Sequence, residues 1–198
     1  MNIRRYLAYF LDFVIILAVL YVIAAILPGN DNIVILQNEM NASLSSLLEN
    51  EIGFSTFVNR YAISYHTLML NAVHLNVLTL LVLFLYYVLL PLKTKGQTLG
   101  KKMFKIKIVA TKGELTKLKL LARASLVNGL LFTALSILLL YTSTGLSYFM
   151  LVSIIGLVQI LFILINVLIL AFREKNKTIH DKISYTNVLE RSDDNEKI

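Results

Sequence analysis

The sequence predicts an all-α membrane protein: a four-helix transmembrane bundle with both termini in the cytoplasm, a small basic cytoplasmic hairpin and an extracytoplasmic helical loop. The chain is 57% hydrophobic and 16% charged, whereas soluble domains average about 45–50% and about 25%. A soluble core could not bury this much apolar surface, so we expect a lipid environment. The absence of cysteine excludes disulfides, thiol nucleophiles and thiolate metal sites.

Four apolar segments approach or exceed the ~20 residues that an α-helix needs to cross a bilayer. They cover residues 6–27, 72–92, 124–141 and 147–172. The last two are joined by residues 142–146, Thr-Ser-Thr-Gly-Leu, an uncharged and helix-breaking linker that is typical of a tight hairpin. We therefore predict one membrane domain over residues 1–189, followed by a charged, disordered tail at 190–198.

The distribution of Lys and Arg predicts the orientation of these helices. Residues 93–123 carry ten basic residues and one acidic residue, whereas residues 28–71 carry four acidic residues and one basic residue. Cytoplasmic loops accumulate Lys and Arg, so residues 93–123 are expected inside and residues 28–71 outside. Both termini are then cytoplasmic, which agrees with the basic residues near them: Arg4, Arg5, Arg173, Lys175 and Lys177.

The outer loop, residues 28–71, is too long for a simple turn and contains two helical patterns. Ser43 is a predicted N-cap, and the apolar residues after it recur at helical spacing: Leu44, Leu47, Leu48 and Ile52. Residues 54–70 also have a helical pattern and extend the second span outward. We interpret the outer loop as a packed lid, and a ligand-gating role is the alternative.

The inner basic segment, residues 93–123, shows a different periodicity. Apolar and basic residues alternate in it as in a half-buried strand: Phe104, Lys105, Ile106, Lys107 and Ile108. Residues 111–113, Thr-Lys-Gly, indicate a turn. Thr116 is a predicted N-cap for a helix that leads through Arg123 into the third span. We predict a small hairpin that lies against the anionic headgroups of the inner leaflet.

Asp12 is the residue of the first span that requires an explanation. An ionisable group at bilayer depth costs roughly 2.5–3.5 kcal/mol on insertion scales, so it marks an ion path, a proton relay or a structural partner. Counted inward from the cytoplasmic helix ends, other polar side chains fall in the same layer: Asn128, Asn166, Tyr86 and Tyr87. We predict that they converge on Asp12, with Arg123 as its countercharge.

The sequence leaves two interpretations of this polar layer open. It can be an ion or proton site, or it can hold the helices together through interhelical hydrogen bonds, which average about 0.6 kcal/mol each. His74, near the outer end of the second span, and Gln159, near the middle of the fourth, are further candidates for a polar role.

No catalytic constellation, metal-ligand spacing or cofactor motif emerges from the sequence. Residues 96–102, Gly-Gln-Thr-Leu-Gly-Lys-Lys, resemble a phosphate-binding loop. One residue is missing between the glycines, however, and no Ser or Thr follows the lysine. We therefore expect no enzymatic activity, no cofactor, no metal and no nucleic-acid partner.

Several stretches together resemble the RDD family of bacterial membrane proteins: Arg5-x-x-Ala8-x-x-x-Asp12, residues 96–102, residues 105–109 with Gly113, Arg123, and His180-Asp181-x-x-x-x-Thr186-x-Val188. The resemblance implies that the arginine and the two aspartates that name the family are Arg5, Asp12 and Asp181. It implies a multi-pass protein of the bacterial cell membrane, and transport, including sodium/proton exchange, is the role proposed for some members. Residues 184–186, Ser-Tyr-Thr, depart from the usual Ala-Gly-Thr.

The favoured function is the movement of a cation or proton, with Asp12 as the titrating or coordinating carboxylate and Arg123 or Arg5 setting its charge state. The alternative is a non-transporting accessory or regulatory protein that binds a partner protein or anionic lipid. Four helices are a thin scaffold for alternating access, so transport would call for a homo-oligomer or a partner membrane protein. We expect Asp181 to return to the inner face and to pair with Arg5 or with lysines of the inner basic segment.

Overall fold

The computed structural model of the chain describes residues 2–27, 30–172 and 177–190. Arg173, Lys175 and the predicted tail at 191–198 lie outside these residues. The elements are, in order, α1 (Asn2–Ile26), α2 (Asp31–Leu48), α3 (Phe54–Asn71), α4 (Val73–Phe84), a π-helical turn (Leu85–Leu89), α5 (Leu90–Lys93), α6 (Leu99–Met103), β1 (Ile106–Ala110), α7 (Lys117–Val127), α8 (Leu130–Thr142), α9 (Gly145–Phe172), α10 (Ile179–Ile183) and β2 (Thr186–Glu190).

Three helical stretches of the described chain are long and apolar enough to cross a membrane: Ile3–Ile26, Val73–Lys93 and Gly145–Ile169. They correspond to the first, second and fourth predicted spans. The third predicted span, residues 124–141, is not one continuous helix, because α7 and α8 meet at a bend of 73°. Counting this bent pair as one span gives four.

The bend between α7 and α8 has a local cause. Gly129, between the two helices, has φ of +74°, a left-handed conformation that other L-residues reach only at a cost. The break removes hydrogen-bond partners from the last carbonyls of α7. Gln159 of α9 compensates for one of them, since its Nε2 donates to the carbonyl oxygen of Leu126 at 2.9 Å.

The chain divides into two compact units. The first comprises Met1–Ile23, Leu81–Leu131 and Gln159–Ile198, and the second comprises Ala24–Leu80 and Phe132–Val158. The core of the second unit is formed by Leu140, Tyr148 and Val152 with aromatic neighbours. His66 packs edge-on against the Tyr148 ring and lies 3.1 Å, through Nε2, from the carbonyl oxygen of Leu140 near the end of α8.

The outer loop is helical throughout most of its length. The helix predicted over residues 54–70 is present as α3. The N-cap assigned to Ser43 is wrong, because α2 begins twelve residues earlier, where the Asn30 side chain accepts a hydrogen bond from the backbone of Asn32. Ser43 lies inside α2 and donates to the carbonyl oxygen of Glu39 at 2.9 Å.

The first unit contains a two-stranded antiparallel sheet, β1 with β2. The strand predicted around Ile106 and Ile108 is present, but the local hairpin is wrong, because the chain after β1 enters α7 directly at the Thr116 N-cap. β1 pairs instead with β2, which lies beyond the last span. Glu190, predicted as the first residue of the tail, is the last residue of β2.

Residues 98–110 and 178–190 repeat one local structure. Each begins with a threonine N-cap, Thr98 or Thr178, and continues through a five-residue helix, α6 or α10. Each then turns into its strand at a residue with φ of +52°, Lys105 or Tyr185. Tyr185 occupies the position at which the family that this sequence resembles usually has glycine. Glycine adopts this conformation without steric cost.

The two repeats are related by an approximate twofold axis. Equivalent residues differ by 80 in number, and Ile108 and Val188 face each other at the centre of the strand pairing. The pairing at the two ends is reciprocal, with Ile106 opposite Glu190 and Ala110 opposite Thr186. Each repeat follows one of the candidate membrane spans, so the first unit has an internal pseudo-symmetry. We call each repeat, residues 98–110 or 178–190, a polar module.

The left-handed conformation at Gly129 yields a test of the bend. Replacing Gly129 by Ala forces a Cβ into this region, at a cost of roughly 1–2 kcal/mol. We expect a loss of that size in the free energy of unfolding, measured with denaturant in detergent micelles. Gly53→Ala is the control, since φ there is −75° and no atom lies within 4 Å of the added Cβ. Equal stability of the two variants would contradict the assigned cause of the bend.

Candidate functional site

Asp12 of α1 is fully buried, and its carboxylate accepts four hydrogen bonds. Oδ1 accepts from the Tyr86 hydroxyl at 2.6 Å and from the backbone N–H of Gly100 at 2.8 Å. Oδ2 accepts from the Thr98 hydroxyl at 2.6 Å and from Lys101 Nζ at 3.1 Å. We call these residues the Asp12 cluster: Asp12, Tyr86, Thr98, Gly100 and Lys101.

The close approach of α6 to α1 depends on two small residues. A Cβ on Gly100 would lie 2.5 Å from the carbonyl oxygen of Ala8 and 2.7 Å from Oδ1 of Asp12. Ala8 is itself fully buried at this contact. The N–H of Gly100 is one of the first-turn donors that a helix leaves unpaired, so Asp12 also caps the N-terminus of α6.

The π-helical turn of the second span contains two consecutive tyrosines, of which Tyr86 is partly buried and Tyr87 is buried. A π-turn widens the helix by one residue per turn, and here it comprises Leu85–Leu89. Tyr86 donates to Asp12, while Tyr87 is buried and, like Asn128, lines a cavity of the first unit.

Asp181 of α10 is the second fully buried carboxylate. Arg5 Nη2 donates to its Oδ2 at 2.7 Å, and Arg123 Nη1 donates to its Oδ1. Thr178 adds its hydroxyl at 2.8 Å and its backbone N–H at 3.2 Å, both to Oδ2. These residues, together with His180, form the Asp181 cluster: Arg5, Arg123, Thr178, His180 and Asp181.

The electrostatics of the Asp181 cluster fix two charge states. Burial alone would raise the pKa of Asp181, but the guanidiniums of Arg123 and Arg5 outweigh it and hold the pKa well below its usual range. Burial lowers the pKa of His180 to about 2, and Arg123 and Arg5 act in the same direction. Asp181 is therefore charged and His180 neutral at physiological pH.

Tyr9 of α1 links the two clusters. Its hydroxyl accepts a hydrogen bond from Arg123 Nη2 at 2.9 Å and lies 3.3 Å from Nε2 of His180. The Tyr9 ring also contacts the Asp12 cluster. Lys101 Nζ lies 5.1 Å from the centroid of this ring, which is a cation–π contact. The neutral His180 continues the network to Asn166, whose Oδ1 lies 3.0 Å from Nδ1.

A cavity of about 550 Å³ adjoins this network within the first unit. Its polar end is lined by Arg5, Tyr9, Thr178 and His180, with Asn128 and Asn166 nearby in the wall. The remaining wall is apolar and follows one stripe of α1, opposed by α9 and the second span: Phe13, Ile16, Leu17, Leu20, Leu83, Ile163 and Val167.

The sequence also matches a known protein family. Residues 2–185 of the sequence match the RDD family. The chain belongs to the RDD family. No curated protein and no solved structure gave a significant match.

The three residues that the resemblance identifies with the arginine and the two aspartates of the family name are divided between the two clusters. Asp12 is in the first, and Arg5 and Asp181 form an ion pair in the second. The prediction that Arg123 is the countercharge of Asp12 is wrong. Arg123 pairs with Asp181, and the ammonium of Lys101 pairs with Asp12.

Of the other predicted site residues, Tyr86 is the one with a described hydrogen bond to Asp12. Asn166 is hydrogen-bonded to His180, and no described hydrogen bond joins Tyr87, Asn128 or Asn166 to Asp12, so the predicted convergence of all four on Asp12 does not occur. Depth counting along a helix could not give the direction in which each side chain points. Gln159 bonds to α7, and His74 is exposed on α4 in the second unit.

The residues that sequence reasoning missed are Lys101, Thr98, Gly100, Tyr9, Thr178 and His180. Lys101 was grouped with the lysines expected at the headgroups, although it is fully buried. A signal was present: a threonine precedes Lys101 and Asp181 by three residues in the two repeats, residues 98–110 and 178–190. Only two of the thirteen positions are identical, Thr98/Thr178 and Lys102/Lys182, which is too few to detect without the strand pairing.

The pairing of Asp12 with Lys101 can be tested by a double-mutant cycle. Removing one partner of a buried pair leaves an unpaired charge, which costs about 3–5 kcal/mol. We expect Asp12→Asn and Lys101→Met each to cost an amount of this order in unfolding free energy. The double variant should cost less than the sum, with a coupling of about 1–3 kcal/mol.

The control pair is Arg4 and Glu190, which are 3.6 Å apart and about half exposed. An exposed pair couples by about 0–1 kcal/mol, so the same cycle there should be nearly additive. Additive costs for Asp12 and Lys101 would contradict the ion pair.

Proposed function

We propose that this chain binds an amphiphilic molecule within the membrane, in the cavity of the first unit. The observation that carries the proposal is the cavity itself: about 550 Å³, apolar along most of its wall, with a few hydrogen-bonding groups gathered at one end. Ligand sites in proteins have this size and this composition. The apolar part of an amphiphile would contact the apolar wall, and its polar headgroup would contact the hydrogen-bonding groups at the polar end.

The position of the cavity supports entry from the bilayer. Phe13 and Leu17 line it and are 56% and 49% exposed. Both belong to an apolar helix that is long enough to span a membrane, so the open side would face lipid. Ile16 and Leu83, by contrast, are buried and form the closed side of the wall.

We also propose the orientation that the charge distribution favours, with the polar modules on the cytoplasmic side of a bacterial cell membrane. The exposed Lys102 and the partly exposed Lys107 would then lie near anionic headgroups. In this arrangement the chain is a binding protein without a catalytic role. A second copy or a partner membrane protein would be needed if binding is coupled to transport.

A single-tryptophan reporter tests the binding site. The chain has no tryptophan, so Phe13→Trp places one fluorophore on the wall of the cavity. In bilayer discs, a single-chain amphiphile with a brominated tail should quench it in a saturable manner. Val167→Phe in this background fills part of the cavity, and overpacking of about 1–3 kcal/mol should weaken the apparent affinity about tenfold or more.

The matched control is Val19→Phe. Val19 and Val167 are 40% and 41% exposed, but only Val167 lines the cavity. Quenching that is not saturable, or that responds equally to the two substitutions, would place the amphiphile elsewhere and contradict the proposal.

A second candidate function, the movement of a cation or proton at Asp12, is favoured by one observation. The Lys101 ammonium lies against Asp12 Oδ2 and Thr98 Oγ1, each at 3.1 Å, and over the Tyr9 ring. A monovalent cation would be held by the same oxygen atoms. The four hydrogen bonds that Asp12 accepts mean that any such ion must displace Lys101, which ranks this function second.

Flux measurements on proteoliposomes test the second candidate. If Asp12 carries the ion, Na⁺ or H⁺ flux should exceed that of protein-free vesicles and should disappear in Asp12→Asn. Glu39→Gln, at an exposed acid on α2, should keep the flux. Wild-type vesicles that conduct no more than empty ones would exclude this function under the conditions of the assay.

A further inference from the structure

The two five-residue helices of the first unit, α6 and α10, have the same pattern of exposed side chains. In both, the second and third residues are buried and the fourth and fifth are exposed. The exposed residues are Lys102 and Met103 in α6, and Lys182 and Ile183 in α10. Met103 and Ile183 are 70% and 51% exposed. Each helix therefore exposes one ammonium group next to one large apolar side chain.

The exposed lysines are one of the two identities between the repeats. The other identity, Thr98 with Thr178, is explained by the N-caps of the two helices. Capping and burial do not explain Lys102 and Lys182, because both lysines are exposed near the end of their helix. Their charges and the apolar side chains next to them are accessible to a partner outside the fold.

Both helices pack beside the first part of α1. A Cβ on Gly100 of α6 would lie 2.5 Å from the carbonyl oxygen of Ala8, and Arg5 pairs with Asp181 of α10. The candidate span Ile3–Ile26 has 24 residues, or roughly 36 Å at about 1.5 Å per residue, which slightly exceeds the ~30 Å hydrocarbon core. Arg5 and Ala8 are near the beginning of this span. We therefore expect α6 and α10 at the boundary between headgroups and acyl chains.

The outer surface of α1 at this level is apolar. Leu7 and Phe10, on either side of Ala8 in the chain, are both exposed. Exposed apolar side chains on a membrane-spanning helix contact lipid. The leaflet should therefore reach the part of α1 beside which α6 and α10 are packed.

We propose that α6 and α10 form a membrane-docking surface: Met103 and Ile183 insert at the boundary between headgroups and acyl chains, and Lys102 and Lys182 contact anionic phospholipid headgroups. Helical segments with lysines beside large apolar side chains bind membranes in this way. Charge complementarity favours anionic lipid, because each lysine near such a leaflet is attracted to it. The inference goes beyond the proposed function, since the docking surface does not involve the cavity.

Two tryptophan reporters test the insertion. The chain has no tryptophan, so Met103→Trp or Ile183→Trp places a single fluorophore on the docking surface. In discs of phosphatidylcholine brominated near the headgroup end of its acyl chains, both reporters should be quenched and should emit at shorter wavelength than tryptophan in water. Thr111→Trp is the control. It is exposed beyond β1, a five-residue strand that extends roughly 16 Å at about 3.3 Å per residue, and should keep water-like, unquenched emission.

Discs with a minor brominated component test the preference for anionic lipid. The component is phosphatidylglycerol or, at the same mole fraction, phosphatidylcholine. Attraction to one lysine enriches anionic lipid about fivefold, so brominated phosphatidylglycerol should quench Met103→Trp more strongly. Lys102→Gln should lower this quenching to the phosphatidylcholine level, and Lys182→Gln should do the same for Ile183→Trp. Lys112→Gln, at an exposed lysine beyond β1, removes the same charge and should keep the preference.

Two results would overturn the inference. Reporters at 103 and 183 that emit as in water and are not quenched by brominated lipid would exclude the insertion and leave these side chains to a protein partner. Equal quenching by the two brominated lipids, or an equal response to Lys102→Gln and Lys112→Gln, would exclude a specific contact with anionic headgroups. Neither result affects the proposed function, because none of the substituted residues lines the cavity.

Discussion

The ion pair between Asp12 and Lys101 is the interaction on which the first unit depends. It joins α1 to α6, and the neighbouring ion pair of Arg5 with Asp181 joins α1 to α10. Arg5 and Asp12 are seven residues apart, so they lie on one face of α1, within roughly 20° of each other. One face of α1 therefore carries two opposite charges. Asp12 pairs with Lys101 of the first repeat, and Arg5 pairs with Asp181 of the second repeat.

These ion pairs define geometry more than they add stability. A buried pair recovers little beyond its own desolvation cost, but a wrong arrangement would leave charges unpaired. Since the Asp12 and Asp181 clusters set the positions of the two five-residue helices, they also set the register of β1 against β2. Ile106, Ile108 and Val188 fill the buried side of that sheet. The charges on α1 thus determine how the two repeats, residues 98–110 and 178–190, are arranged.

The sequence predicts the local elements well and the long-range pairings poorly. Apolar length located the spans, and residue chemistry located the Thr116 cap and the strand around Ile108. The bend at Gly129 was missed because a glycine inside an apolar run is compatible with a straight helix until its φ is known. The partner of β1 lies about 80 residues away along the chain, beyond the reach of periodicity.

The same limit applies to the charged groups. The sequence indicated that Asp12 needs a partner, but depth along a helix does not distinguish Arg123 from Lys101. Lys101 resembles the other lysines of the inner basic segment, and only the contact of Gly100 with Ala8 places it inside. Both carboxylates are engaged by protein donors, and we therefore place the proposed ligand in the cavity of the first unit.

The most direct test of this account is a distance measurement between the Asp12 carboxylate and the Lys101 ammonium in lipid bilayers. Solid-state NMR with ¹⁵N-lysine and ¹³C-labelled aspartate should detect a contact consistent with 3.1 Å between Nζ and Oδ2. The contact should disappear in Lys101→Gln. A folded protein in which the Asp12 signal shows no lysine contact, or shows contact with an arginine instead, would contradict the central role of this pair.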